Sequence, residues 1–196
     1  MFLIPLLLIG RTAICDDWDY LDDGLGKLPE CSSISERCDG ELKTRYGTLQ
    51  MAFQDDYEFT VSLDGKSVGT FAGEEFAIRN VYSIGANDVL LLALYSGGTA
   101  CPFDVYILQI NSDSTFKLSE SFGNCSPRYK AYVDHEVLII KMPPYFNPEH
   151  YRDLSPEEQK EIDAWKESVF KWSNSSLTSQ YGDTRHHKKR KSGGQR

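Results

Sequence analysis

Two cysteine-bearing segments that face each other across one hairpin constrain this chain more than any other feature. The first is Ser96-Gly97-Gly98-Thr99-Ala100-Cys101-Pro102 and the second is Phe122-Gly123-Asn124-Cys125-Ser126. Between them lie two strand-like runs, residues 103–110 and 115–121, joined by a turn at Asn111-Ser112-Asp113-Ser114. If that turn closes a hairpin, residues whose numbers sum to about 225 oppose one another. Cys101 and Cys125 sum to 226. Opposed residues of an antiparallel pair stand roughly 4.5–5.5 Å apart at Cα, which suits a cystine. The spacing therefore predicts a Cys101–Cys125 disulfide and an oxidising compartment.

The rest of the cysteine count agrees with export. Residues 1–10 are apolar, a run far below the ~20 residues that span a bilayer, and they read as the core of a secretory signal peptide covering 1–15. No Lys or Arg precedes the run. Cleavage after Ala13-Ile14-Cys15 leaves four of the five cysteines. Lipidation of Cys15 is the alternative, and the bulky Ile14 before it argues against that; membrane association is expected only in that case. Once Cys101 and Cys125 are joined, Cys31 and Cys38 pair by elimination and proximity. The absence of any C-x-x-C spacing argues against zinc.

Residues 16–45 are polar and rich in Asp, and are expected to form an acidic lead-in held by the local Cys31–Cys38 disulfide. From residue 46 to 180 the pattern is that of an antiparallel β domain. Tyr57, Phe59, Val61 and Leu63 alternate with polar residues, and Asp64-Gly65 has the composition of a two-residue hairpin turn before the return strand 66–71. Residues 88–95 are apolar beyond the first, which places them centrally in a sheet. Strands at 129–133 and 136–142 flank Asp134-His135, a second hairpin candidate. Ser155-Pro156-Glu157-Glu158 is a helix start: an N-cap serine, proline in the first turn, and Glu158 closing a capping box. The helix is expected near 155–167 with Ile162 and Trp165 on one face, and Val169-Phe170-Lys171-Trp172 reads as a last strand. No internal repeat is evident. The predicted class is mainly β, an antiparallel β-sandwich or strongly curled sheet with one helix on its C-terminal side.

Charge divides the chain. Residues 185–196 hold six of the 21 basic residues and none of the 29 acidic ones, leaving a net −14 elsewhere. This tail, within 181–196, is expected to be a disordered basic extension. Lys188-Lys189-Arg190-Lys191 has nucleic-acid-binding or nuclear-import character, yet lacks aromatic residues for stacking on bases and conflicts with a secretory leader. No nucleic-acid partner is expected.

Chemistry-bearing constellations are scarce. Aligned on Gly24, Asp19, Asp23 and Glu30 fall on positions one, five and twelve of a calcium loop, but Leu21 and Pro29 spoil it. There is no nucleophile elbow, phosphate loop or zinc-protease motif. His135 and His150 are lone turn or loop histidines. Gly97-Gly98 either lets a backbone approach a ligand or meets a conformational need beside the disulfide. No catalytic residue, metal site or cofactor is therefore expected. The eleven Tyr and three Trp are the one surplus. Of the aromatics in predicted loops, Trp18, Tyr20, Tyr145, Phe146 and Tyr151 are candidate interface anchors.

The Gly-Gly-Thr-Ala-Cys-Pro and Phe-Gly-Asn-Cys-Ser pair resembles a motif pair of small exported proteins and lipoproteins of Gram-negative bacteria, whose function is uncharacterised. A strand like 89–94 before the first motif, a Leu154-Ser155-Pro156-Glu157-Glu158 segment and a closing strand like 169–172 extend the resemblance over roughly 44–177. It implies an envelope-located β domain and carries no catalytic residues. The expected function is a periplasmic, non-enzymatic protein-binding module, an immunity or inhibitor protein whose acidity steers a basic protein partner. An envelope hydrolase, a carbohydrate-binding protein and a structural envelope component are the alternatives.

Overall fold

The computed structural model describes residues 19–20, 30–32, 37–38, 41–54, 57–97, 101–145, 152, 154–164 and 166–180. Fifteen strands and one helix among them form three antiparallel sheets. In chain order the strands are β1 (Asp19–Tyr20), β2 (Glu30–Ser32), β3 (Arg37–Cys38), β4 (Glu41–Thr44) and β5 (Gly47–Phe53). Next come β6 (Glu58–Leu63), β7 (Lys66–Ala72), β8 (Glu75–Ile84), β9 (Asn87–Tyr95) and β10 (Phe103–Ile110). The chain continues with β11 (Phe116–Leu118), β12 (Arg128–Asp134), β13 (Val137–Met142), helix α1 (Pro156–Asp163), β14 (Ser168–Ser173) and β15 (Ser176–Gln180).

The first sheet has the order β4-β5-β6-β7, the second β11-β10-β9-β8-β2-β3, and the third β1-β12-β13-β14-β15. Strands β4–β7, β8–β11 and β12–β15 are thus three successive up-and-down meanders, a repetition of topology with no matching repetition of sequence. The second sheet is the middle layer, because its strands send alternate side chains into two separate cores. From β9, Val89, Leu91 and Ala93 join Tyr129, Leu138, Ile140 and Phe170 of the third sheet. Leu90, Leu92 and Leu94 join Leu49, Phe59, Val61 and Phe71 of the first sheet. A strand covered on both faces needs apolar residues at every position, which is why 89–94 show no alternation.

Bulge and turn chemistry set the register. Ile78 pairs with Leu92 and Asn80 with Leu91, so Arg79 is an extra residue in β8. The bulge moves the even positions of β8 from the first sheet to the third. There the Tyr129 hydroxyl, on a fully buried side chain, donates to Asn80 Oδ1. The Asp64-Gly65 turn forms as expected, with φ of 48° and 78°. The second hairpin turn is His135-Glu136, with φ of 45° and 63°, one residue beyond the expected Asp134-His135. Pairing of Asp134 with Val137 keeps Asp134 in the strand and forces the shift.

Several boundaries need correction. The lead-in 16–45 is not separate from the β domain: β1 pairs with β12, β2 pairs with β8, and β4 already belongs to the first sheet. Residues 169–172 are not the last strand, since β15 follows β14 through an Asn174-Ser175 turn with φ of 49° and 56°. Helix α1 ends at Asp163 rather than near 167. Ser168 is committed to pairing with Met142, and the chain must straighten before it.

The start of α1 follows its sequence. Glu158 Oε2 accepts from the Ser155 amide at 2.9 Å and from its hydroxyl at 2.8 Å. These bonds hold the Glu158 carboxyl below its usual value, the backbone bond contributing most. A depressed folded-state value means that this contribution is present above the ordinary glutamate value of 4.5 and is lost as pH falls through the lower folded-state value. An NMR titration of Glu158 is expected to show this lowered midpoint, and Ser155→Ala is expected to move it back toward 4.5.

Candidate functional site: a cleft between two sheet edges

The second and third sheets end on the same side in edge strands, β11 and β15, and a cleft of about 480 Å³ lies between them. Its apolar floor is Leu118, Phe122, Trp172 and Leu177, and its walls carry hydroxyls of Ser119, Ser121, Ser176 and Ser179. Lys117 and Glu120 stand at the rim. A second cleft of about 310 Å³, beside the Gly85-Ala86 turn and Glu136, adjoins it: Trp172 and Ser175 line both.

Buried polar contacts hold the junction between the two clefts. Trp172 is 3% exposed and Gln109 6%, and the Trp172 indole Nε1–H donates to Gln109 Oε1 at 2.8 Å. Gln109 Nε2 donates to Asn111 Oδ1 at 2.7 Å and to Ser175 Oγ at 2.8 Å. One amide on β10 thus ties the middle sheet to the β14–β15 hairpin with its polar atoms satisfied. The network continues through Asn111 Nδ2 to Thr115 Oγ1. Hydrogen bonds from the Thr115 hydroxyl and then its amide keep the Asp113 carboxyl below its usual range. Ser114 Oγ donates to Tyr46 O at 2.7 Å, and Asp88, 2% exposed, accepts from Arg45 N and Nε at 2.8 and 2.6 Å. Both contacts pin the β4–β5 turn to the same end of the molecule.

β15 has an unguarded edge. Natural edge strands carry charge, proline or bulges that discourage further pairing, whereas Ser176-Leu177-Thr178-Ser179-Gln180 has neither charge nor proline. A two-residue turn closes on a hydrogen-bonded pair, here Ser173 with Ser176, and such pairs alternate along the ladder. Thr178 and Gln180 therefore bond to β14, while Leu177 and Ser179 direct their N–H and C=O groups away from it. Among the described residues nothing pairs with that edge.

The expected Cys101–Cys125 disulfide is present, with Cα atoms 4.6 Å apart. The hairpin register behind it holds: Leu108 pairs with Leu118 and Gln109 with Lys117. The return strand is shorter than expected, since β11 ends at Leu118 and pairing resumes only at the Val105–Phe122 bridge. That gap opens the wall of the cleft. Cys31 and Cys38 are direct partners in the β2–β3 register, the placement their pairing requires, and their side chains lie outside the described set. Gly97 has φ of 75°, and the Glu74 carboxylate fills the space that a Cβ would take. Its glycine thus meets a conformational need rather than a ligand.

The candidate anchors are not gathered at the cleft. Tyr145 is half-buried just past β13, at the end of the third sheet where β15 runs out. Tyr20 lies in β1, its side chain outside the described set, and Trp18, Phe146 and Tyr151 fall outside the described residues, as do His150, 1–15 and 181–196. His135 is exposed beside Asp134. Asp19 pairs in the third sheet and Glu30 in the second, so strands and not helices hold the ends of the calcium-like spacing. Among the described residues no group of three or more His, Cys, Asp or Glu side chains could hold a metal, and no helix is long and apolar enough to cross a membrane.

Sequence reasoning missed the cleft because it missed β15. The stretch 173–180 has one apolar residue, Leu177, and reads as a serine-rich loop. The available signal was Asn174-Ser175 directly after an alternating strand, a position where asparagine tolerates positive φ. No protein-family model, curated protein or solved structure matches the chain.

Proposed function

We propose that this protein is an exported, periplasmic protein-binding module of the immunity or inhibitor kind, and that it receives an extended segment of its partner along β15. The unguarded β15 edge above a hydroxyl-walled, apolar-floored cleft is the observation that carries the reading. Strand addition takes affinity from main-chain hydrogen bonds and specificity from alternate side chains. At β15 the inward side chains of an added strand meet Leu177, Ser179 and the cleft floor, where small apolar groups fit. The Cys101–Cys125 clamp, the cysteine count and the resemblance of the two motifs to exported proteins support the location. The net charge of −8 favours a basic partner through faster association, with Tyr145 as a further contact at the end of the strand.

The test is a single proline. Ser179 directs its N–H outward, so Ser179→Pro removes an edge donor without removing a bond to β14. Pull-down from envelope extract with wild type and Ser179→Pro, followed by kinetics with the purified partner, is expected to show binding lost at least tenfold in the variant with its melting temperature little changed. Raising salt from ~50 to 300 mM is expected to slow association while leaving dissociation nearly unaltered. A partner held equally well by Ser179→Pro, or hydrolysis of a wall polymer in its place, overturns the reading.

A further inference from the structure

We infer that the segment received by β15 carries a glutamate between two apolar residues, and that Lys171 selects the glutamate. The inference rests on the strand addition proposed above and names the chemistry of the added strand.

The backbone fixes which partner side chains are read. Leu177 and Ser179 turn their N–H and C=O groups outward, so the two partner residues opposite them form the hydrogen-bonded pairs of an antiparallel addition. Directly opposed residues share a face of the sheet. Leu177 packs on the core side, opposite Trp172. Both partner residues therefore point into the cleft, over Leu118, Phe122 and Leu177. The residue between them lies opposite Thr178 and points to the other face.

That outer face differs in charge from the chain as a whole, which carries −8. Tyr132, Ile139, Lys171 and Thr178 are successive cross-strand partners from β12 to β15, and the central partner residue extends their row. The neighbouring row holds Lys130, Lys141, Val169 and Gln180, with Arg128 on the same face two residues before Lys130. The carboxylates there are Asp134, 3.6 Å from His135 at the hairpin end, and Glu167, 3.7 Å from Lys141. Arg128, Lys130, Lys141 and Lys171 thus outnumber them. On the cleft side Lys117 and Glu120 carry opposite charges and favour neither sign.

Lys171 is the cation in position to act. Arg128 and Lys130 have interactions of their own, and Lys141 faces Glu167. Lys171 is exposed and has no ion pair among the described residues. Only Thr178 separates it from the central partner residue, and the Thr178 hydroxyl turns back to the Lys171 carbonyl at 3.5 Å. Two strand spacings put the two Cα atoms roughly 10 Å apart, a gap that a lysine and a glutamate side chain close together. The partner's overall charge governs its approach, and this short-range contact governs which of its segments fits.

Amide NMR titration of the full chain with two peptides tests the assignment: Ser-Thr-Val-Glu-Val-Thr-Ser and the same sequence with lysine at its centre. The glutamate peptide is expected to shift the Leu177 and Ser179 amides and to bind about fivefold more tightly than the lysine peptide. Lys171→Glu is expected to invert that order and Lys171→Ala to erase it, both at unchanged melting temperature. Raising salt from ~50 to 300 mM is expected to narrow the difference. Equal affinity of the two peptides, or a preference that survives Lys171→Ala, overturns the inference; if Ser179→Pro still weakens both peptides, strand addition at β15 stands without it. A preference that follows Lys171 while Ser179→Pro changes nothing and the Leu177 and Ser179 amides stay fixed puts the peptide on the outer face alone, and overturns the inference together with the proposed function. If neither peptide binds at millimolar concentration the inference is overturned, and the Ser179→Pro pull-down decides the proposed function by itself.

Discussion

Leu91→Ala and Leu92→Ala, neighbours on β9, are each expected to lower stability by about 3–5 kcal/mol. In a two-layer sandwich, adjacent residues of one strand point to opposite faces and only one of them is in the core. Here both are fully buried, Leu91 against the third sheet and Leu92 against the first. Truncation at either site leaves a cavity in a different core. Chemical denaturation of the two single variants measures this directly. Near-neutrality of either one would remove a layer from the architecture. Leu91→Lys and Leu92→Lys are both expected to prevent folding, because an unpaired ammonium in either core has no partner.

Loss of the Cys101–Cys125 bond is the second large effect. The two cysteines are 24 residues apart, and in the chain-entropy description closing a loop of about that size is worth about 3.5 kcal/mol. Cys101→Ser, Cys125→Ser and the double variant are therefore expected to lose similar amounts, since each abolishes the same constraint. The denaturant m-value is expected to rise, because the uncrosslinked unfolded chain exposes more surface. Unequal single variants would place the effect in folded-state packing. Peptide mapping under non-reducing conditions is expected to find the Cys31–Cys38 pair that the β2–β3 register sets opposite each other.

The legible parts of the fold are those specified by contacts close in sequence. The register behind Cys101–Cys125 needs only the hairpin around Asn111, and the Asp64-Gly65 turn only its own dihedral preferences. The Ser155–Glu158 box closes over three residues. Each of these local signals points to the element that forms. Where local signals were weak, tertiary pairing decided. Glu41–Thr44 and Asp19–Tyr20 become strands because a neighbouring strand offers an edge, and Ser176–Gln180 because the Asn174-Ser175 turn lays it against β14.

The candidate site was the least legible part. Its floor combines Phe122 from after β11 with Trp172 of β14, and its junction depends on Gln109 reaching Ser175 across two sheets. No period or motif encodes a distance of that kind. The aromatic surplus pointed to anchors, and Trp172 proved to be core, its indole bound to Gln109.

By itself the amino-acid sequence determined the mainly β class, the cystine clamp, the helix start and the burial of residues 89–94, because short-range sterics and periodicity specify these without reference to the rest of the chain. The tertiary structure alone decided that there are three layers, that the acidic segment contributes strands to all three sheets, and that β11 and β15 end side by side around a cleft. A buried position looks the same from sequence whichever sheet covers it. Edges and clefts are relations between strands that only packing brings together.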